Sequence, residues 1–204
     1  MAALPQRVRS RSALPLALVA AVIAPLWAAE LTPLERSRLT AHVMMTESWL
    51  IDEVANLSSG QLSFRPSPSS WTIMEVVEHL VVVGPIYWND LQTAVRGPRL
   101  NRDLSNGDAH ILWYGIDRTS RETAIPSERP PGRLRDIKAG LQALRKDHER
   151  LLEYANTTKD DLRRHLVERQ ACDAYQWALL ISTHEQRHIL QIREIKTSPK
   201  FPRE

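Results

Sequence analysis

One cysteine, Cys172, in 204 residues rules out any disulfide within the chain. Such a lone thiol is buried, reactive or paired between chains, and at the start of an apolar helical stretch burial is the default. A Cys–His nucleophile is disfavoured as well: Cys172 precedes His184 by about three helical turns, roughly 18 Å. Glycine is scarce, at seven residues, and the apolar periodicity runs on without interruption, which favours helices over sheet. No internal repeat or low-complexity tract divides the chain, so 204 residues read as one domain with a tail or insertion. A positive surplus is also missing once position is considered. Three of the 27 basic residues are Arg7, Arg9 and Arg11, whereas none of the 24 acidic ones precedes Glu30. The remainder is balanced and supports no nucleic-acid surface.

What stands at the N-terminus explains that split. The three arginines precede an apolar run, Ala13–Leu26, and a small pair, Ala28 and Ala29. This is the order of a secretory signal peptide over residues 1–29, cut after Ala29, and it implies an exported protein, periplasmic or secreted. The alternative is an uncleaved anchor, since Trp27 fits poorly three residues before the cut. The run is short for a span and contains Pro15 and Pro25, so no stable membrane span is expected after cleavage.

Four long helices are expected in the remainder. Thr32 and Pro33 cap and open the first, which runs to about Leu57 and stops in Ser58-Ser59-Gly60. Two prolines and four serines in Gln61–Ser70 break the chain. Thr72-Ile73-Met74-Glu75 then matches a capping box and opens the second helix, to about Val95. The third spans Arg133 to Asn156, with Leu134, Ile137, Leu141, Leu144, His148 and Leu151 on one seam. The fourth spans Ala171 to Lys196, and a tail over 198–204 is expected to fray. Residues 96–131 form a long crossover between the second and third helices. They read as a lid or pocket wall carrying Trp113, Tyr114, Asp117 and Arg118, with one short helix over 108–114.

Histidine sits where a leucine is expected. On the fourth helix, His184 and His188 follow Trp177 and Ile181 and precede Ile192 and Ile195 on one face. His79 does the same between Val76 and Val83. A single such His is ordinarily a hydrogen-bonded core residue. Three on facing helices can instead meet around a transition metal and leave positions open for water or substrate. His42 reads as structural or as lining a pocket, and His148, a fourth inward His, as a core residue bonded to a neighbouring side chain, with ligation the alternative.

Two stretches carry a resemblance. Trp71-Thr72-Ile73-Met74-Glu75-Val76-Val77-Glu78-His79 resembles the W-[ST]-x-x-E-x-x-x-H segment of the DinB-like family, and His184-Glu185-Gln186-Arg187-His188-Ile189-Leu190-Gln191 resembles its H-x-x-[RH]-H-x-x-Q segment. The likeness spans Leu31 to Lys196. It implies an all-α, up-down-down-up four-helix bundle over residues 30–197, often a homodimer. His79, His184 and His188 would then be ligands to a divalent ion, zinc or nickel first. Better-understood relatives are thiol-dependent isomerases and S-transferases, but export separates this chain from the cytosolic thiols they use.

The expected function is therefore that of a divalent-metal-dependent enzyme on a small-molecule substrate, a hydrolase or a thiol transferase. The alternative is an exported bundle that binds metal or a small ligand without catalysis. Glu75 is committed to its cap. Glu78, Glu185 and Gln191 stand near enough to orient a ligand or a bound water, while Arg187 is expected in a surface or interface ion pair.

Overall fold

The computed structural model describes residues 30–101 and 107–203. The expected leader, crossover residues 102–106 and Glu204 lie outside the described residues. Four long helices carry the fold: α1 (Pro33–Val54), α3 (Ile73–Arg96), α5 (Ile137–Thr157) and α6 (Ala174–Lys196). Short helices α2 (Ser59–Ser63) and α4 (Ala109–Tyr114), three 3-10 turns (Pro126–Glu128, Leu162–Arg164 and Glu168–Gln170) and a hairpin of two residues per strand, β1 (Leu166–Val167) with β2 (Cys172–Asp173), complete the described residues.

Side-chain caps decide where the helices begin. Thr32 with Glu35, Ser58 with Gln61, Thr72 with Glu75, and Asp173 with Gln176 each form a reciprocal capping box for α1, α2, α3 and α6, and such a cap contributes about 1 kcal/mol. The Ser58 cap turns a stretch that reads as a stop signal into the one-turn helix α2. Two starts fall later than the periodicity suggests. The α5 helix begins at Ile137, not Arg133, because the backbone N–H groups of Gly132, Arg133 and Leu134 donate to the Glu78 carboxylate at 2.8, 2.5 and 2.8 Å. The α6 helix begins at Ala174 because Ala171 adopts a left-handed φ of 49° and Cys172 and Asp173 pair with the strand before them.

Cross-helix contacts fix the directions. Tyr175 reaches Glu35, Ser182 reaches His42 and Lys196 reaches Glu53, so α1 and α6 run parallel. Gly140 lies against Val77, Gly84 against Asp147 and Trp88 against Tyr154, so α3 and α5 are parallel too. Trp177 packs on Tyr87 while His188 packs on His79, so α6 opposes α3. The order is up-down-down-up, and the parallel α3–α5 pair forces a connection that travels the length of the bundle. That connection is the crossover. It is pinned by Glu78 and by Gly115, where a Cβ would meet the Thr183 carbonyl oxygen at 2.9 Å.

The core divides into two apolar clusters. One gathers Leu39, Val43, Val83, Leu91, Leu151 and Trp177, the other Leu50, Val54, Val76, Val77, Leu144 and Ile192. Each fully buried aliphatic side chain contributes about 1.5–3 kcal/mol. Between them lies a buried polar layer of Thr46, His79, His148, His184 and Glu185. The tail is docked instead of frayed: Phe201 packs edge-on against Phe64 with centroids 5.5 Å apart, and Gln61 Nε2 donates to the Pro202 carbonyl at 3.0 Å. Among the described residues no helix is long and apolar enough to cross a membrane.

Candidate metal centre

The buried faces of α3 and α6 meet at the polar layer. His79 takes the position that its neighbours Val76 and Val83 would predict to be apolar, and His184 and His188 lie one turn apart opposite it. Their three Nε2 atoms converge. His184 Nε2 is 3.2 Å from that of His79 and 2.7 Å from that of His188. One ligand atom from each ring falls within 4.8 Å of the others.

Hydrogen bonds behind the rings set what those nitrogens offer. His79 Nδ1 donates to the Glu128 carbonyl oxygen at 2.6 Å, and His188 Nδ1 donates to Gln191 Oε1 at 2.8 Å. With the proton held at Nδ1, each Nε2 presents a lone pair to the centre. His184 Nδ1 is buried with no hydrogen-bond partner, and one neutral ring can place at most one proton between two facing lone pairs. Adding protons does not relieve the conflict. Burial, and then the proximity of the other rings, pushes His184 down to about 3 and His188 well below the ordinary histidine range. Burial also lowers His79, against the bond to Glu128. Three neutral imidazoles with converging lone pairs fit a divalent cation better than they fit one another.

Aromatic rings enclose the cluster. Trp71 stacks on His188 at 6.2 Å and meets His79 at 5.0 Å; Tyr87 lies 5.2 Å and Tyr114 6.4 Å from His184. The histidines open on a cleft of about 870 Å³ whose walls include Trp71, both tyrosines and the crossover. Burial raises both phenols, Tyr114 up to about 12 and Tyr87 in the same direction, so both remain protonated at neutral pH.

The remaining expected site residues are placed as follows. Gln191 reaches His188. Glu78 touches no histidine and instead anchors residues 132–134, just beyond the Glu128 carbonyl that orients His79. Glu185 faces away from the cluster and bonds His148 Nε2 at 2.7 Å, with Thr46 at 3.4 Å. His42 bonds Ser182 and Gln186. Arg187 is not at the surface. It is buried, stacks over Tyr114 at 4.8 Å, and donates to the carbonyls of Tyr114, Asp117 and Ser120. A cation inside the bundle thus holds the crossover down. On the crossover, Tyr114 and Arg118 line the cleft, Arg118 bonds Glu194 at 2.7 Å, and Trp113 is exposed.

Sequence reasoning did not single out Tyr87 or Glu128. Tyr87 lies eight residues after His79, on the same helical face, a signal that helical spacing alone could have supplied. Glu128 contributes a backbone carbonyl, which leaves no mark in the residue type.

The fold and this buried histidine cluster define a helical-bundle protein of one established class. The chain belongs to the DinB superfamily, whose family model matches residues 26–192. It is similar to the uncharacterized protein YuaE of Bacillus subtilis (strain 168), 28% identical over 156 residues that cover 74% of this chain and 91% of that one. Its fold is similar to that of YfiT from Bacillus subtilis, described as a probable metal-dependent hydrolase with an unusual four-helix bundle topology. The two superpose with a TM-score of 0.52 at 15% identity, over 81% of this chain and 88% of YfiT.

Proposed function

We propose that the protein is a divalent-metal-dependent hydrolase of a small molecule, with His79, His184 and His188 as the metal ligands. One observation carries this reading: three buried Nε2 atoms converge while the Nδ1 protons of two rings are held by Glu128 and Gln191. The description of YfiT as a probable metal-dependent hydrolase supports the class. A divalent ion, zinc or nickel by donor set, supplies Lewis acidity there and brings the pKa of water to about 7. The chain does the rest. Glu128 and Gln191 fix the ring tautomers, Trp71 shields the cluster from one side, and Arg187 keeps the crossover closed over the cleft.

Elemental analysis of untagged protein, purified without chelator, tests the ligand set. One ion per chain in the wild type and none in His184→Ala/His188→Ala is expected. An ion-free wild type overturns the reading.

One observation favours a second reading, a metal-binding module without catalysis. The carboxylates nearest the histidines are already engaged: Glu78 by amides, Glu185 by His148 and Glu128 by Arg169. Screening the metal-loaded protein against ester, amide and phosphoester panels separates the two, since turnover abolished by His188→Ala supports only the first. The arginines and apolar run of residues 7–29 support export with cleavage after Ala29. N-terminal sequencing of protein recovered outside the cytoplasm should begin at Glu30.

A further inference from the structure

The chain has four tyrosines, and their hydroxyls are treated in two ways. Tyr154 donates to Asp160 at 2.8 Å and Tyr175 to the Glu35 carbonyl at 3.2 Å. Tyr87 and Tyr114, the two whose rings approach His184, have no hydroxyl partner among the described residues. Both line the same cleft as the three histidines. They come from separate elements, α3 and the crossover, so the pairing is not an accident of one helix face. Neither hydroxyl is among the enclosed atoms left without a partner; both face the open cleft, where each is a free donor to whatever oxygen enters and displaces water.

The charge of the cleft indicates what that acceptor is. Five arginines line it (118, 121, 129, 169 and 187) against three carboxylates, Glu122, Glu128 and Glu194. The wall is therefore net positive before any metal is added. A phenolic O–H pairs well with oxygen and weakly with sulfur, and charge-assisted O–H···O bonds are the strong ones.

We propose that Tyr87 and Tyr114 are the substrate-orienting donors of this site, and that they hold an anionic oxygen, carboxylate or phosphoryl, beside the histidine cluster. The inference rests on the three-histidine reading and extends it to substrate class: the hydrolase acts on a carboxylate- or phosphate-bearing small molecule, with the hydroxyls aligning its charged oxygen and the arginine-rich wall drawing it in. A thiol substrate leaves both donors poorly matched.

The test uses the zinc-loaded full chain. Wild type, Tyr87→Phe, Tyr114→Phe and the double variant are titrated calorimetrically with inorganic phosphate and, separately, acetate, and zinc per chain is measured on each sample. Tyr154→Phe, which removes a hydroxyl outside the cleft, is the control. Each cleft substitution is expected to leave zinc content unchanged and to weaken anion binding about ten-fold, with the control unchanged. Full zinc with equal affinity in wild type and double variant overturns this inference alone, as does zinc-loaded wild type that binds neither anion. Absence of zinc from the wild type overturns both readings. Tyr114 is half-buried on the crossover and is read by itself if Tyr87→Phe does not fold.

Discussion

Two histidine settings lie side by side in the polar layer, and consecutive residues of α6 serve them. His184 turns toward His79 and His188; Glu185 turns the other way, toward His148. All four imidazoles are buried. In the first setting Glu128 offsets burial only in part at His79, no anion offsets it at His184 or His188, and neighbouring rings discourage protonation there, so the pKa values fall. In the second, burial also opposes charge. Yet the bond to Glu185, together with nearby Glu47 and Asp147, outweighs it and holds His148 above the ordinary range. Identical side chains in one buried layer become a Lewis base in one place and a more readily protonated partner of a carboxylate in the other. The partner, not the burial, decides.

The sharpest way to break the contrast is to remove the first setting. His184→Ala/His188→Ala should abolish metal binding and, with it, the stabilisation that added metal gives the wild type, about 2.7 kcal/mol at a hundred-fold excess over Kd. Thermal melts with and without zinc read this directly, and a variant that still shifts with zinc sinks the ligand assignment.

Acid separates the two settings next. In the metal-free protein His79, His184 and His188 have folded pKa values below their unfolded 6.5. The unfolded chain therefore binds more protons, and stability present above pH 6.5 is lost as pH falls toward about 3, where His184 titrates. Each depressed ring contributes a slope of about 1.4 kcal/mol per pH unit. His148, raised in the folded state, acts oppositely: its contribution is complete below pH 6.5 and fades as pH rises through its folded value. Denaturant titrations across pH should show the acid loss persist, and deepen at the lowest pH, when zinc is present, because the bound ion keeps the folded rings unprotonated while the unfolded chain still takes up protons. A shallower slope with zinc would refute the shared assignment.

Removing the second setting is a smaller perturbation and a local one. His148→Ala leaves Glu185 buried without its hydrogen-bond partner, and should cost about 1–3 kcal/mol while zinc per chain stays at the wild-type value. Loss of zinc in that variant would show the settings to be one unit. Smallest of all, Gln191→Ala releases the His188 Nδ1 proton and should weaken zinc about 10–100-fold with little change in fold stability. A competition titration against a chromophoric chelator measures it.

Much of this arrangement was legible in residue spacing. The three histidines interrupt apolar seams at helical intervals, and Thr72-x-x-Glu75 announces its helix. Both signals are local, because each depends on positions within a turn or two. The parts that escaped depend on distant partners. Arg187 looks like an ordinary surface charge of a helix and Glu78 like a neighbour of a metal ligand, and only the path of the crossover shows their roles, Glu78 accepting from three amides and Arg187 donating to three carbonyls. Glu185, adjacent to a candidate ligand, invited a role at the metal; a rotation of about 100° per residue along a helix sends it to His148. The hairpin at 166–173 was hidden because two residues per strand are too few for a period to register.

The parallel pairing of α1 with α6 has a consequence in time. A ribosome releases α1 first and α6 last, so Leu39, Val43, Leu50 and Val54 wait for most of synthesis without their main partner. The histidine centre waits as well, since His79 emerges more than a hundred residues before His184. Contacts so distant in sequence close slowly and leave apolar surface open to misassembly. Metal capture is then a late event, and an occupied site marks a chain whose two ends have already met.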